Sequence, residues 1–152
     1  MALYLVQHGR SLPKEFDPEQ GLSPEGIAET ERTARLAAEL GLTIGAILQS
    51  GKARARQTAE ILAAGLDPPG GIREARGMNP MDDVIPWSAL NPGDNLMLVG
   101  HLPFMERLAA QLVAGTPEKP IIKFRNSGIV CLDRVEGEIT WVIRWALVPN
   151  LG

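Results

Sequence analysis

The chain has 152 residues, 45% of them apolar, which fits one globular domain with a real core. Fifteen lysines and arginines stand against 18 aspartates and glutamates, a net charge of -3, which argues against a general nucleic-acid binder and confines any cationic patch to a local site. The one cysteine, Cys131 in the run IVCLD, excludes an internal disulfide and reads as a small buried hydrophobe in a reducing compartment.

The start, MALYLVQH, has no basic n-region and too short an apolar run for a signal peptide, and no stretch is long enough to span a membrane. We therefore expect a cytoplasmic protein without membrane contact. Leu3 to Val6 is a short continuous apolar run, as in a strand covered on both faces. Ser23 and Pro24 read as N-cap and first residue of a helix reaching about Leu40, closed by Gly41. Ala46 to Leu48 reads as a second strand, and Lys52 to Ala64 as a second helix ended by Gly65 and the DPPGG breaker. From Gly70 to Gly93 the pattern gives mostly loop, with a short helix around Asp82 to Leu90 interrupted by Pro86. Leu96 to Val99 forms a third strand, Pro103 to Val113 a third helix with Gly115 after it. Ile129 to Val135 and Ile139 to Ala146 form a hairpin around EGE, with Ile139, Trp141, Ile143 and Trp145 alternating on one face. The fold class is α/β, a mostly parallel central sheet with a C-terminal antiparallel hairpin.

The chain's two histidines both follow strand-like runs, His8 in LYLVQHGR and His101 in LMLVGHLP. The carboxyl ends of strands in an open α/β sheet border the crevice where ligands bind, so the two histidines point to one shared site. Between them, QSGKARARQTAEIL crowds Lys52, Arg54 and Arg56 into the first turn of a helix. Cations at that positive dipole end cost ~0.3–1 kcal/mol each, a cost that a bound anion offsets. A helix amino-terminus with an arginine fork makes a phosphate cradle; a solvated basic face is the alternative.

Together QHGR, SGKARARQTA and GHLP, in that order, resemble the histidine phosphatase superfamily, specifically its short SixA-type phosphohistidine phosphatase branch. The resemblance implies a single three-layer α/β/α domain over residues 1–152, phosphoglycerate mutase-like. It implies His8 as the nucleophile, Arg54 as a phosphate ligand and His101 completing the pocket, with a covalent phosphohistidine intermediate and no cofactor or metal. The first motif departs from the family's usual Arg-His-Gly in having Gln7, an amide without charge. A lost charge-assisted bond to a transferring phosphoryl group costs on the order of 2–4 kcal/mol of transition-state stabilisation. Arg10 is a candidate to restore part of the positive field, and Ser11, in the H-G-x-S pattern, a candidate phosphate ligand; a solvent-exposed arginine and a turn serine are the alternatives.

For His8 to attack phosphorus one ring nitrogen must be unprotonated and the other held by an acceptor such as a carbonyl near Gly9. His101, in a protonated or donor form, Gln7, Arg54 and the helix start would surround the equatorial oxygens. Cleaving an ester requires an acid for the leaving group, a phosphoramidate much less so. Glu74, Asp82 and Asp83 are the acids on offer, none in a general-acid motif. This tilts the reading to a histidine-phosphorylated protein partner, a phosphorelay or phosphotransferase-system component, with no nucleic acid. The alternatives are a small-molecule phosphomonoesterase on the same fold, a phosphohistidine-binding pseudoenzyme weakened by Gln7, and an α/β domain whose histidines merely satisfy buried backbone groups.

Overall fold

The computed structural model describes residues 2–89 and 95–152. In chain order it has β1 (Ala2–Gln7), α1 (Pro24–Glu39), β2 (Ala46–Gln49), α2 (Ala53–Leu66), β3 (Ile72–Glu74), α3 (Ile85–Ser88), β4 (Leu96–Gly100), α4 (Phe104–Ala114), β5 (Ile129–Arg134) and β6 (Trp141–Leu147). They build one six-stranded sheet in the order β3-β2-β4-β1-β5-β6. β3, β2, β4 and β1 run parallel, whereas β5 is antiparallel to β1 and β6 to β5. This is the α/β domain with a closing hairpin expected from the alternation of apolar runs.

Strand alternation sorts the core into two layers. Tyr4, Val6, Ile47, Met97 and Val99 pack against Ala34, Ala59 and Leu62 of α1 and α2. Leu3, Leu5, Leu98 and Leu132 pack against Phe104, Met105 and Leu108 of α4 on the other face. Cys131 is buried at 1% exposure, and burial pushes its thiol up to about 11. At the head of α1, Ser23 Oγ accepts from the Gly26 amide at 3.0 Å with Pro24 in the first turn, an N-cap that fixes where the helix starts.

Four elements differ from the sequence expectation. First, α2 runs through Gly65 and ends at Asp67, which takes the left-handed conformation with φ 46°. Gly65 instead lets two helices approach: a Cβ there would stand 3.0 Å from the Ala34 Cβ of α1. Second, Ile72–Glu74 is a short strand at the sheet edge beside β2, too short and too polar to show in the pattern. Third, the helix expected around Asp82 to Leu90 is a single turn, Ile85–Ser88, and Leu90 lies outside the described residues. Fourth, the hairpin is bulged between Cys131 and Leu132: Cys131 faces Trp145 but Leu132 faces Ile143, leaving Arg144 as the extra residue. Trp141 and Ile143 therefore join the α4 layer, while Trp145 crosses to the other face and meets Tyr4 at 5.9 Å. Ile139 lies before the strand and is 83% exposed.

Candidate active site

The pairing of β1 with β4 sets Gln7 opposite Gly100, so the next residue of each strand, His8 and His101, leaves the sheet side by side. The His8 amide donates to the Gly100 carbonyl at 2.9 Å, and the two rings stand 5.1 Å apart, tilted by 53°. A sequence separation of more than ninety residues thus closes to a ring-to-ring contact because the strands are neighbours.

His8 Nδ1 lies 2.6 Å from the Gly9 carbonyl oxygen. A carbonyl only accepts, so Nδ1 carries the proton and Nε2 keeps its lone pair. Burial holds the ring's pKa below the usual histidine value, the Gly9 bond opposes this, and the Arg54 charge adds to the lowering. The backbone here is fixed from two sides. The Gly9 amide donates to Thr58 Oγ1 at 2.9 Å, Thr58 itself donates to the Arg54 carbonyl at 2.7 Å, and Asn126 Nδ2 donates to the His8 carbonyl at 2.8 Å. Only glycine fits at position 9, where a Cβ would stand 2.8 Å from Thr30 Oγ1 and 3.0 Å from Ser127 Oγ.

His101 is 2% exposed. Its Nε2 sits 2.6 Å from Ser50 Oγ, and its Nδ1 is buried without a partner. Burial first, then the charges of His8, Arg54 and Lys52, drive its pKa down to about 3. The ring is therefore neutral in the free protein at neutral pH, so of the protonated and donor forms considered from sequence the charged one is disfavoured, because burial beside other cations opposes a second charge.

Of the three cations at the head of α2, each has a different fate. Arg56 pairs with Glu60 one turn on, at 3.6 Å, and Lys52 occupies the N-cap position exposed, without a side-chain cap. Arg54 is half-buried and, among the described residues, has no carboxylate partner, while its charge reaches both histidines. The result is a patch with an arginine, a helix amino-terminus and a lone-pair nitrogen and, among the described residues, no acid paired to its central cation. Such a patch receives an anion and offers it a nucleophile.

The remaining sequence candidates fall elsewhere. Gln7 belongs by strand alternation to the opposite face of β1 from His8, where its Oε1 is buried without a partner. Arg10 is held at 3.0 Å by Glu29 and at 3.5 Å by Glu25, so the structure does not bring it to the histidines: past Gly9 the chain crosses the head of α1. Ser11 forms a backbone bridge with Leu22 at the neck of a loop. Asp82 and Asp83 accept from the amides of Asn79 and Ile85 in their own turn. Glu74 is different, because its carboxylate lies against Gly51, one residue from Ser50. Ser50, Thr58 and Asn126 were not singled out from the sequence. The first two lie in the quoted segment around Arg54; Asn126, far along the chain, is brought to the site by its bridge to Gln7 and its bond to the His8 carbonyl.

The chain superposes on the protein histidine phosphatase SixA, solved with tungstate, with a TM-score of 0.84 and 25% identity, covering 98% of this chain and 97% of that one. It belongs to the histidine phosphatase superfamily. The Agrobacterium tumefaciens protein assigned as the phosphohistidine phosphatase SixA gives a TM-score of 0.77 at 28% identity, with 98% of each chain covered. An α-ribazole-5'-phosphate phosphatase assigned in Escherichia coli shares the fold, with a TM-score of 0.74 at 15% identity, covering all of this chain and 99% of that one. By sequence, this superfamily member is 33% identical over 146 residues to an uncharacterised protein of Picosynechococcus, covering 87% of this chain and 84% of that one. No family model matches. Among the described residues no helix is long and apolar enough to cross a membrane.

Proposed function

We propose that this member of the histidine phosphatase superfamily is a metal-independent phosphatase that removes phosphate from histidine-phosphorylated proteins of the cytoplasm through a phosphohistidine on His8. The observation that carries the reading is the unpaired, half-buried Arg54 beside a neutral His8 whose Nδ1 proton is spent on Gly9. Arg54 and the free amides at the head of α2 hold the equatorial oxygens of the phosphoryl group. His8 Nε2 attacks phosphorus as the phosphorus–nitrogen bond to the substrate imidazole breaks, and the departing nitrogen takes a proton from water. A second water then attacks the phosphorylated His8, releasing inorganic phosphate and restoring the ring's lone pair. Neutral His101, held by Ser50, contributes a dipole and not a charge to this pocket. The likeness to SixA at 25% and 28% identity supports the substrate class.

A second reading has its own observation. Glu74 lies against Gly51, the residue between Ser50 and Lys52, where a carboxylic acid would protonate an alkoxide leaving group. This favours a phosphomonoesterase. Phosphate release, measured without metal from a phosphohistidine protein and from an aryl phosphate ester, separates the two. Release from phosphohistidine that disappears in His8→Ala and persists in Glu74→Gln supports the first reading. Ester hydrolysis that is lost in Glu74→Gln, with phosphohistidine untouched, overturns it.

A further inference from the structure

Beside the two histidines, at the carboxyl end of β1, a cleft of about 350 Å³ is lined by Gln7, Leu102, Arg10, Glu29, Lys123 and Arg125 among others. Two of its walls are chain neighbours of the site: Gln7 precedes His8 and Leu102 follows His101. Its charge is lopsided, with three cations facing one carboxylate. Arg10 neutralises that carboxylate and Arg125 donates to the Leu151 carbonyl, while among the described residues neither Arg125 nor Lys123 has a carboxylate within bonding distance. Gln7 adds an amide whose oxygen is buried without a partner, and turning that amide over presents an N–H to the cleft in its place.

We propose that this cleft seats a carboxylate of the substrate, an aspartate or glutamate side chain next to the phosphorylated histidine. The inference rests on the phosphohistidine reading above and adds a sequence preference to it. Gln7, a wall of the cleft, is the chain neighbour of His8, and successive Cα atoms lie about 3.8 Å apart, so a side chain next to a phosphohistidine bound at His8 is within reach of the cleft. A cationic cleft flanking the phosphate site then selects for an acid at that position through charge, not shape.

Two phosphohistidine peptides, identical except for Glu or Gln beside the phosphorylated residue, test this with the native chain, Lys123→Glu and the milder Lys123→Ala. The native chain is expected to prefer the Glu peptide by about three- to tenfold in kcat/KM, mainly through KM, with Lys123→Ala reducing the ratio and Lys123→Glu erasing or reversing it. A native ratio near one, or a ratio unchanged in both variants, overturns the proposal. Aryl phosphates with and without a ring carboxylate are run alongside. If only the esters are cleaved, the phosphohistidine reading fails while their ratio across the same variants still decides the cleft. If nothing is cleaved, calorimetric affinities for the two peptides give the same comparison.

Discussion

Ser50 Oγ and His101 Nε2 meet at 2.6 Å while the other nitrogen of the same ring is buried with nothing to bond. One hydroxyl on the loop after β2 thus sets the orientation of a neutral imidazole at the end of β4. Replacing Ser50 with alanine leaves both ring nitrogens unsatisfied, at a cost of about 1–3 kcal/mol in stability. We expect Ser50→Ala to lower the unfolding midpoint in urea and to reduce kcat, with Ser50→Thr recovering most of both.

The nucleophile and its anion ligand act as one unit. His8→Ala removes the covalent route and is expected to lower kcat by roughly 10³-fold or more, with Arg54→Ala losing roughly 10²–10³-fold through lost charge stabilisation. Because both act on the same step, the double variant is expected to be little worse than His8→Ala alone. Trapping of a phosphorylated enzyme in single-turnover experiments, absent in His8→Ala, checks the covalent step directly.

Gln7 lies one residue before the nucleophile and carries no charge. Gln7→Arg adds a guanidinium charge at the strand end beside the phosphate site, and turnover is expected to rise by about ten- to a hundredfold. A fall in turnover in a folded Gln7→Arg protein would place the limiting interaction elsewhere.

Acid stability follows from His101. Its pKa falls from the ordinary 6.5 to about 3 on folding, so between those values the unfolded chain binds the extra proton and the folded one does not. The stability this supplies is complete above about pH 6.5 and is lost as pH drops toward 3, by up to roughly 3–5 kcal/mol. His8 shifts in the same direction and steepens the loss. Thermal unfolding from pH 7 to pH 4 is expected to show a falling Tm whose slope flattens in His101→Asn. The same lowered pKa of His8 keeps its lone pair available, so the acid fall in kcat/KM is expected to begin below the pH at which an ordinary histidine of pKa 6.5 would start it.

Gly26, in the first turn of α1, lies so close to the Arg10 carbonyl that a Cβ could not be accommodated. Alanine ordinarily gains up to about 1 kcal/mol over glycine within a helix. Here the steric conflict reverses the sign, and Gly26→Ala is expected to destabilise by about 1–3 kcal/mol and to displace the segment after His8. Chemical denaturation together with kcat reads both effects.

The site was legible in the sequence to the extent that it rests on strand ends and a helix start. Apolar runs broken by His8 and His101, and a helix opening on Arg54, are local patterns, because burial on both faces and the helix period write themselves into neighbouring residues. Ser50 and Thr58 stood in the same segment but carried no signal of their own, since a hydroxyl is useful in most local settings. Glu74 was visible only as a loop acid, because a three-residue edge strand has no period to read.

What the sequence determined by itself is the order of strands and helices apart from the edge strand β3, the caps at Ser23 and Gly115, and the three motifs that meet at the site. Tertiary structure alone decided which groups are spent. It paired Arg10 with Glu29, left Arg54 unpaired, and switched Trp145 to the opposite face through the bulge at Arg144. It also made His101 neutral by burying it against His8 and Arg54. Local pattern reports the backbone's path, whereas charge state and pairing depend on distances between residues that only the packed sheet brings together.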